Sequence, residues 1–384
     1  MLDLRQLRND LHALDKGDEA ACRAALQSLK QHESQDWAAA PLPVINGLVS
    51  SLQAQLRNGT KRPSLRHEVA TILGNIGPRS EPAVPQLIEL LQTRIPDSTC
   101  QAAATALGKI GKEAKGAVDQ LIVLLANGRT SRIVQVVRAL SDIGIADQRV
   151  RSALIDLWLS ASQSQTTQIH VALALCKLKL DAKGLLRFIT TTLVASQDAM
   201  LRQSAAEALG WCNRNEVDVV PALLTAALQD KKEEVRQTAE AALNQLGLTR
   251  EKAIRLCSKQ LRESPYAETA LRHGGPAAVP ALVDVLRAEE SKTREKAARI
   301  LGCIGEAAVE AAPALAALLQ AKNLDVRLAA AKGLWIITKN AGIVVPVLVE
   351  LLDDKWAVAF EDGESHRRYV VFEDSPRIQP IRTG

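Results

Sequence analysis

Aromatic residues are scarce in this sequence. Its 384 residues include 5 Trp, 2 Tyr and 3 Phe, only 3% of the chain, although hydrophobic residues make up 47%. The core must therefore be built from Ala, Leu, Val and Ile. Because β-sandwiches and β-barrels rely on aromatic and β-branched strands, this composition argues against both. The apolar content also excludes an intrinsically disordered chain.

Cysteine is sparse as well, and its spacing shows no C-x-x-C pair. Most of the cysteines fall within apolar helical runs, where a thiol behaves as a small hydrophobic group. We expect all of them to be reduced thiols in a cytoplasmic protein. The six are Cys22, Cys100, Cys176, Cys212, Cys257 and Cys303.

Long hydrophobic runs and a strong charge imbalance are also missing. No run of 18 uncharged apolar residues occurs, and the first residues are charged and amphipathic, so we expect no signal peptide and no membrane span. The formal net charge is +5, which is mild for this length. Charge alone therefore does not imply a nucleic-acid partner.

What the sequence does contain is an internal repeat. Residues resembling the segment 65–77 recur at intervals of 33 to 35 residues, with a single interval of 58 that hides a shortened copy. Such a period is typical of solenoid proteins built from stacked helix pairs. The recurring leucines are Leu73, Leu107, Leu140, Leu175, Leu209, Leu243, Leu301 and Leu334.

Each repeat carries the signals of two helices. Apolar residues recur three and four positions apart, a proline falls near the start of the first helix, and in most copies a glycine follows the second. Glycine at this point allows the positive φ that commonly ends a helix. We predict positive φ at Gly77, Gly111, Gly144, Gly247 and Gly305.

These patterns predict an all-α solenoid of about ten helix pairs over residues 1–353, which ends in a single helix at 341–353. An insertion around 32–42, which contains Trp37, is predicted to be a loop. The repeat near 264–275 is short and is a candidate hinge. Residues 354–384 break the pattern and form a separate tail.

The tail is predicted to contain a β-hairpin, because two short β-like runs flank an Asp362-Gly363 turn signal. An isolated hairpin is only marginally stable in water, so we expect it to pack against another part of the chain or a partner. It could cap the last repeat or add a strand to a partner, and both interpretations stay open. Its aromatic residues are Trp356, Phe360, Tyr369 and Phe372.

The repeat resembles HEAT repeats, in particular the short subclass named after phycobilisome lyases. The motifs that carry the resemblance are Asp325-Val326-Arg327 at the start of a second helix and Ala106-Leu107-Gly108 near the end of another. The resemblance implies a right-handed superhelix whose second helices line the concave side. It also implies that a recurring arginine, such as Arg202 or Arg294, ties neighbouring repeats together.

Catalytic signals are weak. His67-Glu68 resembles the His-Glu dipeptide of deoxyhypusine hydroxylase, a HEAT-like enzyme that binds two irons through four such dipeptides. The equivalent positions of the other repeats here carry different pairs, so the metal site is incomplete. We therefore predict no catalytic residues, no metal and no cofactor.

The expected function is protein binding. Two columns of residues four apart on the second helices should form one surface, which we call the inner strip. It should hold another protein or a peptide segment, since Trp and Arg favour binding hot spots. A bilin-lyase-like enzyme or enzyme subunit and a nucleic-acid-binding protein are the alternatives, although the strip is not a cationic stripe. Its candidate contact residues are Arg138, Glu207, Trp211, Arg299, Lys332, Trp335 and Ile336.

Overall fold

The computed structural model describes residues 3–16, 18–32, 34–57, 65–92, 95–126, 130–160, 164–213 and 215–360. Within these ranges the chain is helical, with short 3₁₀ turns and without β-strands. The helices form two compact units, one up to Ala253 and the other from Ile254 onward.

The helices are short and follow one another closely. The first half of the chain contains α1 Leu4–Lys16, α2 Glu19–Lys30, α3 Ser34–Ala39, α4 Leu42–Arg57, α5 Arg66–Ile76, α6 Val84–Glu89, α7 Asp97–Ile110, α8 Val118–Ala126, α9 Thr130–Ile143, α10 Gln148–Leu159 and α11 Gln165–Lys177. The remainder contains α12 Leu185–Ala195, α13 Ala199–Gly210, α14 Val219–Gln229, α15 Glu233–Gln245, α16 Arg250–Lys259, α17 Pro265–Gly274, α18 Val279–Val285, α19 Ser291–Ile304, α20 Ala312–Leu318, α21 Leu324–Thr338 and α22 Ala341–Phe360.

The predicted helix pairs are confirmed. Apart from α3 and the final α22, the described helices fall into ten consecutive pairs, α1 with α2, α4 with α5, and so on to α20 with α21. We call the earlier member of each pair the first helix and the later member the second helix. In the shortened repeat, the second helix α17 has 10 residues, against 14 in α19. Whether this repeat is a hinge stays a prediction.

The predicted helix ends are also confirmed. Gly77 and Gly111 have φ of +74° and +78°, and the other three predicted glycines have similar positive values. The backbone N–H of each of these five glycines bonds to a carbonyl oxygen in the last turn of its helix. Pro85 and Pro313 occupy the first turn of α6 and α20, where a missing N–H costs little.

The insertion around 32–42 is not a loop, which corrects the prediction. Residues Ser34–Ala39 form α3, and the Trp37 side chain is fully buried. The Arg79 guanidinium donates hydrogen bonds of 2.9 to 3.0 Å to the carbonyl oxygens of Trp37, Ala38 and Ala40. The insertion is therefore part of the core, because a large apolar side chain and a charged clamp hold it in place.

The C-terminal β-hairpin is not supported. Its first predicted strand, which holds Trp356 and Phe360, is helical and belongs to α22. The last predicted helix thus runs seven residues beyond 353. Trp356 and Phe360 are four residues apart, a spacing that suits one face of a helix as well as alternate positions of a strand. Tyr369 and Phe372 lie outside the described residues.

One stretch, Ser291–Leu318, is long and apolar enough to cross a membrane by length and composition alone. It is not one straight helix, because Gly305 has φ of +76° where α19 ends and a 3₁₀ turn leads to α20. Leu301 and Leu315 within it are fully buried. These two leucines therefore belong to the core, whereas Val309 in the same stretch is exposed.

Small residues let the second helices approach closely. A Cβ built on Gly74 of α5 would lie 2.8 Å from the Ala106 Cα of α7, and one on Gly108 would lie 3.0 Å from the Ala139 Cα of α9. A column of alanines on the second helices is fully buried as well. This close packing explains why aromatic residues are scarce. The alanines are Ala70, Ala104, Ala172, Ala206, Ala298 and Ala331.

Replacing Gly74 with Ala is expected to destabilise the protein by about 1–3 kcal/mol, because the new methyl group forces α5 and α7 apart. Gly47 is a matched control, since it is exposed within α4 and a Cβ there would meet nothing within 4 Å. Gly47→Ala should instead stabilise by about 0.5–1 kcal/mol. Urea unfolding of both variants measures the difference, and equal midpoints would contradict the close-packing argument.

Arg202 makes the contact between neighbouring repeats that was predicted for the recurring arginine. Its guanidinium bonds to both carboxylate oxygens of Asp230, which lies just beyond α14 of the next pair. It also donates to the carbonyl oxygen of Ser196, at the turn before its own helix. Arg294 makes only the second kind of contact, with the Ala288 carbonyl oxygen. At Arg202 the side chain therefore ties two helix pairs together.

Candidate functional site

The inner strip forms where the second helices of the first unit pack side by side. Equivalent positions on successive helices are in contact, as the spacing predicted. Lys109 Nζ lies 2.9 Å from Asn75 Oδ1, 34 residues away, and Lys177 Nζ lies 3.3 Å from Asp142 Oδ1, 35 residues away. Residues that are one repeat apart in the sequence are thus neighbours on this surface, on adjacent second helices.

At α11 and α13 the strip holds a charged cluster around an indole. Lys177 Nζ also lies 3.3 Å from Glu207 Oε1 and 5.9 Å from the centre of the Trp211 ring. Lys179 Nζ lies 5.8 Å from the centre of the same ring and donates to the Trp211 carbonyl oxygen. We call Asp142, Lys177, Lys179, Glu207 and Trp211 the Trp211 cluster.

The Trp211 cluster holds the indole in a defined position. Trp211 follows the last residue of α13 and is half-buried. An ammonium group within about 6 Å of an indole ring contributes roughly 0.5–1 kcal/mol at an exposed site. Two such groups restrict the side chain before any ligand arrives, and the bond to the Trp211 backbone carbonyl oxygen holds Lys179 beside the ring. A preordered aromatic group loses little entropy when a partner binds.

His170 lies beside this cluster on α11 and is neutral at pH 7. Its pKa is lowered to about 4, mainly by burial and also by the charges of Arg138 and Lys177, while the charge of Glu207 acts in the opposite direction. Its Nδ1 atom is buried and has no hydrogen-bond partner among the described residues. The structure thus brings the predicted residues Arg138 and Glu207 together around an uncharged ring.

The remaining predicted residues lie in the second unit and are less basic than expected. Arg299 Nη2 lies 3.3 Å from Glu268 Oε2, and its Nη1 lies 3.5 Å from Glu295 Oε1, so its charge is compensated. Lys332 is half-buried. Trp335 and Ile336 on α21 are 42% and 40% exposed, which makes them surface residues rather than core fillers.

The sequence analysis missed the two lysines of the Trp211 cluster and a set of apolar residues on α22. Lys177 belonged to a predicted column, but its contact with three other residues depends on side-chain direction. Lys179 lies after α11 with a φ of +56°, where helical spacing no longer applies. On α22, the apolar Ile343, Val345 and Val349 are also exposed, and their β-branched run was the available signal.

The catalytic lead stays incomplete in the structure. His67 Nδ1 lies 3.1 Å from the Ser98 carbonyl oxygen, and a side-chain oxygen of Glu68 is buried. Within the ranges that the structure describes, no group of three or more His, Cys, Asp and Glu side chains could hold a metal ion. Among these residues, His67 and Glu68 therefore join no larger group of potential metal ligands.

Comparisons with solved structures find other helical repeat proteins. The chain is similar to the karyopherin Kap121p bound to the extreme C-terminus of the protein phosphatase Cdc14p, with 14% identity over 94% of this chain and 44% of that chain and a TM-score of 0.41. It is also similar to Kap95p in a structure with RanGDP (15%, 91% and 54%, TM-score 0.43) and to human deoxyhypusine hydroxylase (18%, 68% and 97%, TM-score 0.28). The chain therefore spans less than half the length of Kap121p.

Comparison at the level of sequence identifies the repeat. No curated protein matches the chain significantly. The profile of HEAT repeats, however, matches residues 49–141, 153–244, 186–272, 249–335 and 279–359, which together cover most of the chain. These matches coincide with the helix pairs described above. The chain belongs to the HEAT-repeat family.

Proposed function

We propose that this protein is a non-catalytic scaffold or adaptor that binds another protein, or a peptide segment of one, on its inner strip. The Trp211 cluster is the observation that carries the proposal. An indole approached by two lysine ammonium groups, one of which pairs with Glu207 and Asp142, combines the apolar area and the charge that binding hot spots use. Most equivalent positions on the other second helices carry small or polar residues.

We further propose that the inner strip of the first unit is concave. The second helices approach one another to the limit that glycine allows, as at Gly74 and Ala106 and again at Gly210 and Ala242, where a built Cβ would lie 3.0 Å from the nearest atom. A row of helices curves toward the side on which its members are closest. A concave strip surrounds a partner segment and contacts it from several helices.

The charge pattern favours a polypeptide partner. Lys177 and Lys179 are balanced by Asp142 and Glu207, so the cluster has no excess of one sign. Nucleic-acid binding needs many unopposed cations that follow the phosphate backbone. A polypeptide of mixed charge fits this surface better. The nucleic-acid and bilin-lyase alternatives gain no support from the described residues.

Two narrower proposals accompany the function. We assign the repeats to the phycobilisome-lyase-like subclass of HEAT repeats on the motifs at 106–108 and 325–327. We also propose a cytoplasmic location, because all six cysteines carry thiols rather than disulfides, as suits a reducing compartment.

Binding measurements on matched variants test the proposal. A partner would be isolated from the native host and purified, and its Kd for the full chain measured by titration calorimetry. Trp211→Ala and Arg138→Glu are each expected to weaken binding by roughly 10- to 100-fold, as hot-spot substitutions of about 2 kcal/mol do. Arg151→Glu makes the same charge change on the exposed surface of the first helix α10 and should leave Kd unchanged. Equal effects of Arg138→Glu and Arg151→Glu, or none from Trp211→Ala, would overturn the assignment of the inner strip.

A further inference from the structure

Two cysteines meet next to the Trp211 cluster. Cys176 lies one residue before the end of α11, and Cys212 lies two residues beyond the end of α13. Their sulfur atoms are 3.3 Å apart, although 36 residues separate them in the sequence. The separation is close to one repeat, so the pair joins equivalent ends of two neighbouring second helices. Both carry thiols.

The pair opens into a pocket of about 630 Å³. Cys212 is half-exposed in this pocket, whereas Cys176 lies behind it and is buried. The pocket has apolar walls and a few polar groups, and it is large enough for a small organic molecule. Its other lining residues include Lys179, Leu180, Leu185, Trp211, Asn213 and Glu216.

The surroundings shift the pKa values of the two thiols in opposite directions. The hydrogen bond between the two thiols lowers the pKa of Cys212, and the nearby Lys179 ammonium lowers it further, while burial and the charge of Glu216 act in the opposite direction. The same hydrogen bond and burial raise the pKa of Cys176. Cys212 therefore forms the thiolate more readily, and the thiolate is the nucleophile in thiol chemistry. Cys176 stays protonated, and its sulfur lies 3.3 Å from that of Cys212.

We propose that Cys212 and Cys176 form a thiol–disulfide exchange site that reacts with a small, water-soluble organic disulfide and closes into a disulfide between neighbouring repeats. The Cys212 thiolate attacks one sulfur of R–S–S–R, which forms a Cys212 mixed disulfide and releases one R–S⁻. Cys176 then gives its proton to the released thiolate and attacks Cys212 Sγ. The second R–S⁻ leaves and takes a proton from water, so two protein thiols are oxidised and the organic disulfide is reduced to two thiols.

The other cysteines provide internal references. Burial raises the pKa of Cys257 to about 12, which leaves this thiol unreactive at neutral pH. Cys303 is exposed and lies in the second unit, so it can form a mixed disulfide on its own. Changing Cys303 to Ser removes this background reaction without touching the pair.

The test uses the full chain with Cys303→Ser, reduced, desalted and then incubated with oxidised glutathione. Intact-mass spectrometry should show the loss of two hydrogens, and peptide mapping should join Cys176 to Cys212. Adding Cys176→Ser should stop the reaction at one glutathione on Cys212. Adding Cys212→Ser should abolish the crosslink and slow glutathione attachment by roughly tenfold or more, as expected when the more nucleophilic thiolate is removed.

Several outcomes would overturn the proposal. They are no crosslink in the protein that keeps both cysteines, attachment mainly at another cysteine, or equal reactivity of the two serine variants. Circular dichroism of each variant before oxidation checks that the helices are intact, and the crosslink measurement itself needs no variant of the pair. The test needs no binding partner, so it succeeds or fails independently of the proposed scaffold function.

Discussion

Replacing Arg202 with Ala is expected to lower the free energy of unfolding by about 3–5 kcal/mol, the range for removing one partner of a buried ion pair. Arg202 Nε lies 2.7 Å from Asp230 Oδ2 and Nη2 lies 2.9 Å from Oδ1, and the two side chains are only 11% and 7% exposed. Without Arg202, the Asp230 carboxylate stays buried and loses its opposite charge. The carbonyl oxygens of Ser196 and Gln197 lose a donor as well.

Urea unfolding followed by circular dichroism measures this loss. Arg149→Ala is the matched control, because Arg149 also forms ion pairs, with the carboxylates of Asp119 and Asp147, but is 61% exposed. Surface ion pairs contribute at most about 1 kcal/mol. If both variants lose the same stability, the buried pair does not tie the repeats together as we infer.

The pH dependence of the same variant provides an independent check. Burial alone would raise the pKa of Asp230, but hydrogen bonds from Arg202 and from the Lys232 amide outweigh it and hold the pKa below its ordinary value of 3.8. Such a carboxylate contributes stability above its unfolded-state pKa and loses it as the pH falls through the folded-state value. The stability difference between wild type and Arg202→Ala should therefore be complete at neutral pH and shrink below about pH 4.

The second large effect is expected at Trp37. Trp37→Ala should destabilise the first unit by about 3–5 kcal/mol, because it leaves a cavity where a fully buried indole was. Trp37 is 0% exposed, and the His32 ring meets it edge-on with ring centres 5.4 Å apart. Since the Arg79 guanidinium binds the backbone of the same short helix, we expect the whole insertion to loosen when the indole is removed.

Thermal unfolding of Trp37→Ala and Trp335→Ala compares the same substitution at two depths. Trp335 is 42% exposed on α21, so its replacement should change stability by no more than about 0.5 kcal/mol. If Trp37→Ala were equally mild, the buried indole would not hold the insertion in place as we infer. A mild effect of Trp335→Ala also makes this variant suitable for binding measurements.

The sequence predicted the repeated parts of the fold because each repeat could be compared with several others. The column at Leu73 and the glycine four residues later recur in register, and both helix pairs and positive φ values follow from them. The insertion at Trp37 and the run from Trp356 to Phe360 have no counterparts. The secondary structure of these two segments could be predicted only from local patterns. Tertiary packing around Trp37 and the continuation of α22 through Trp356 and Phe360 gave helices instead.

The candidate site was predictable in part for the same reason. Helical spacing placed Glu207 and Trp211 on one surface with the column that contains Lys177. The contacts of Lys179 and Cys212 were not predictable, because both residues lie beyond a helix end. Past that point the backbone geometry, not a repeating period, decides where a side chain points.

The lateral packing of the second helices has a consequence for how such a chain evolves. In the first unit, α7 packs on α5 and α9, and α13 packs on α11 and α15, so these second helices pack on second helices one pair away in either direction. Gene duplication or loss of one pair would therefore lengthen or shorten the row while leaving remote contacts unchanged. Specialised features such as Trp211 can then arise in one copy while its neighbours preserve the architecture.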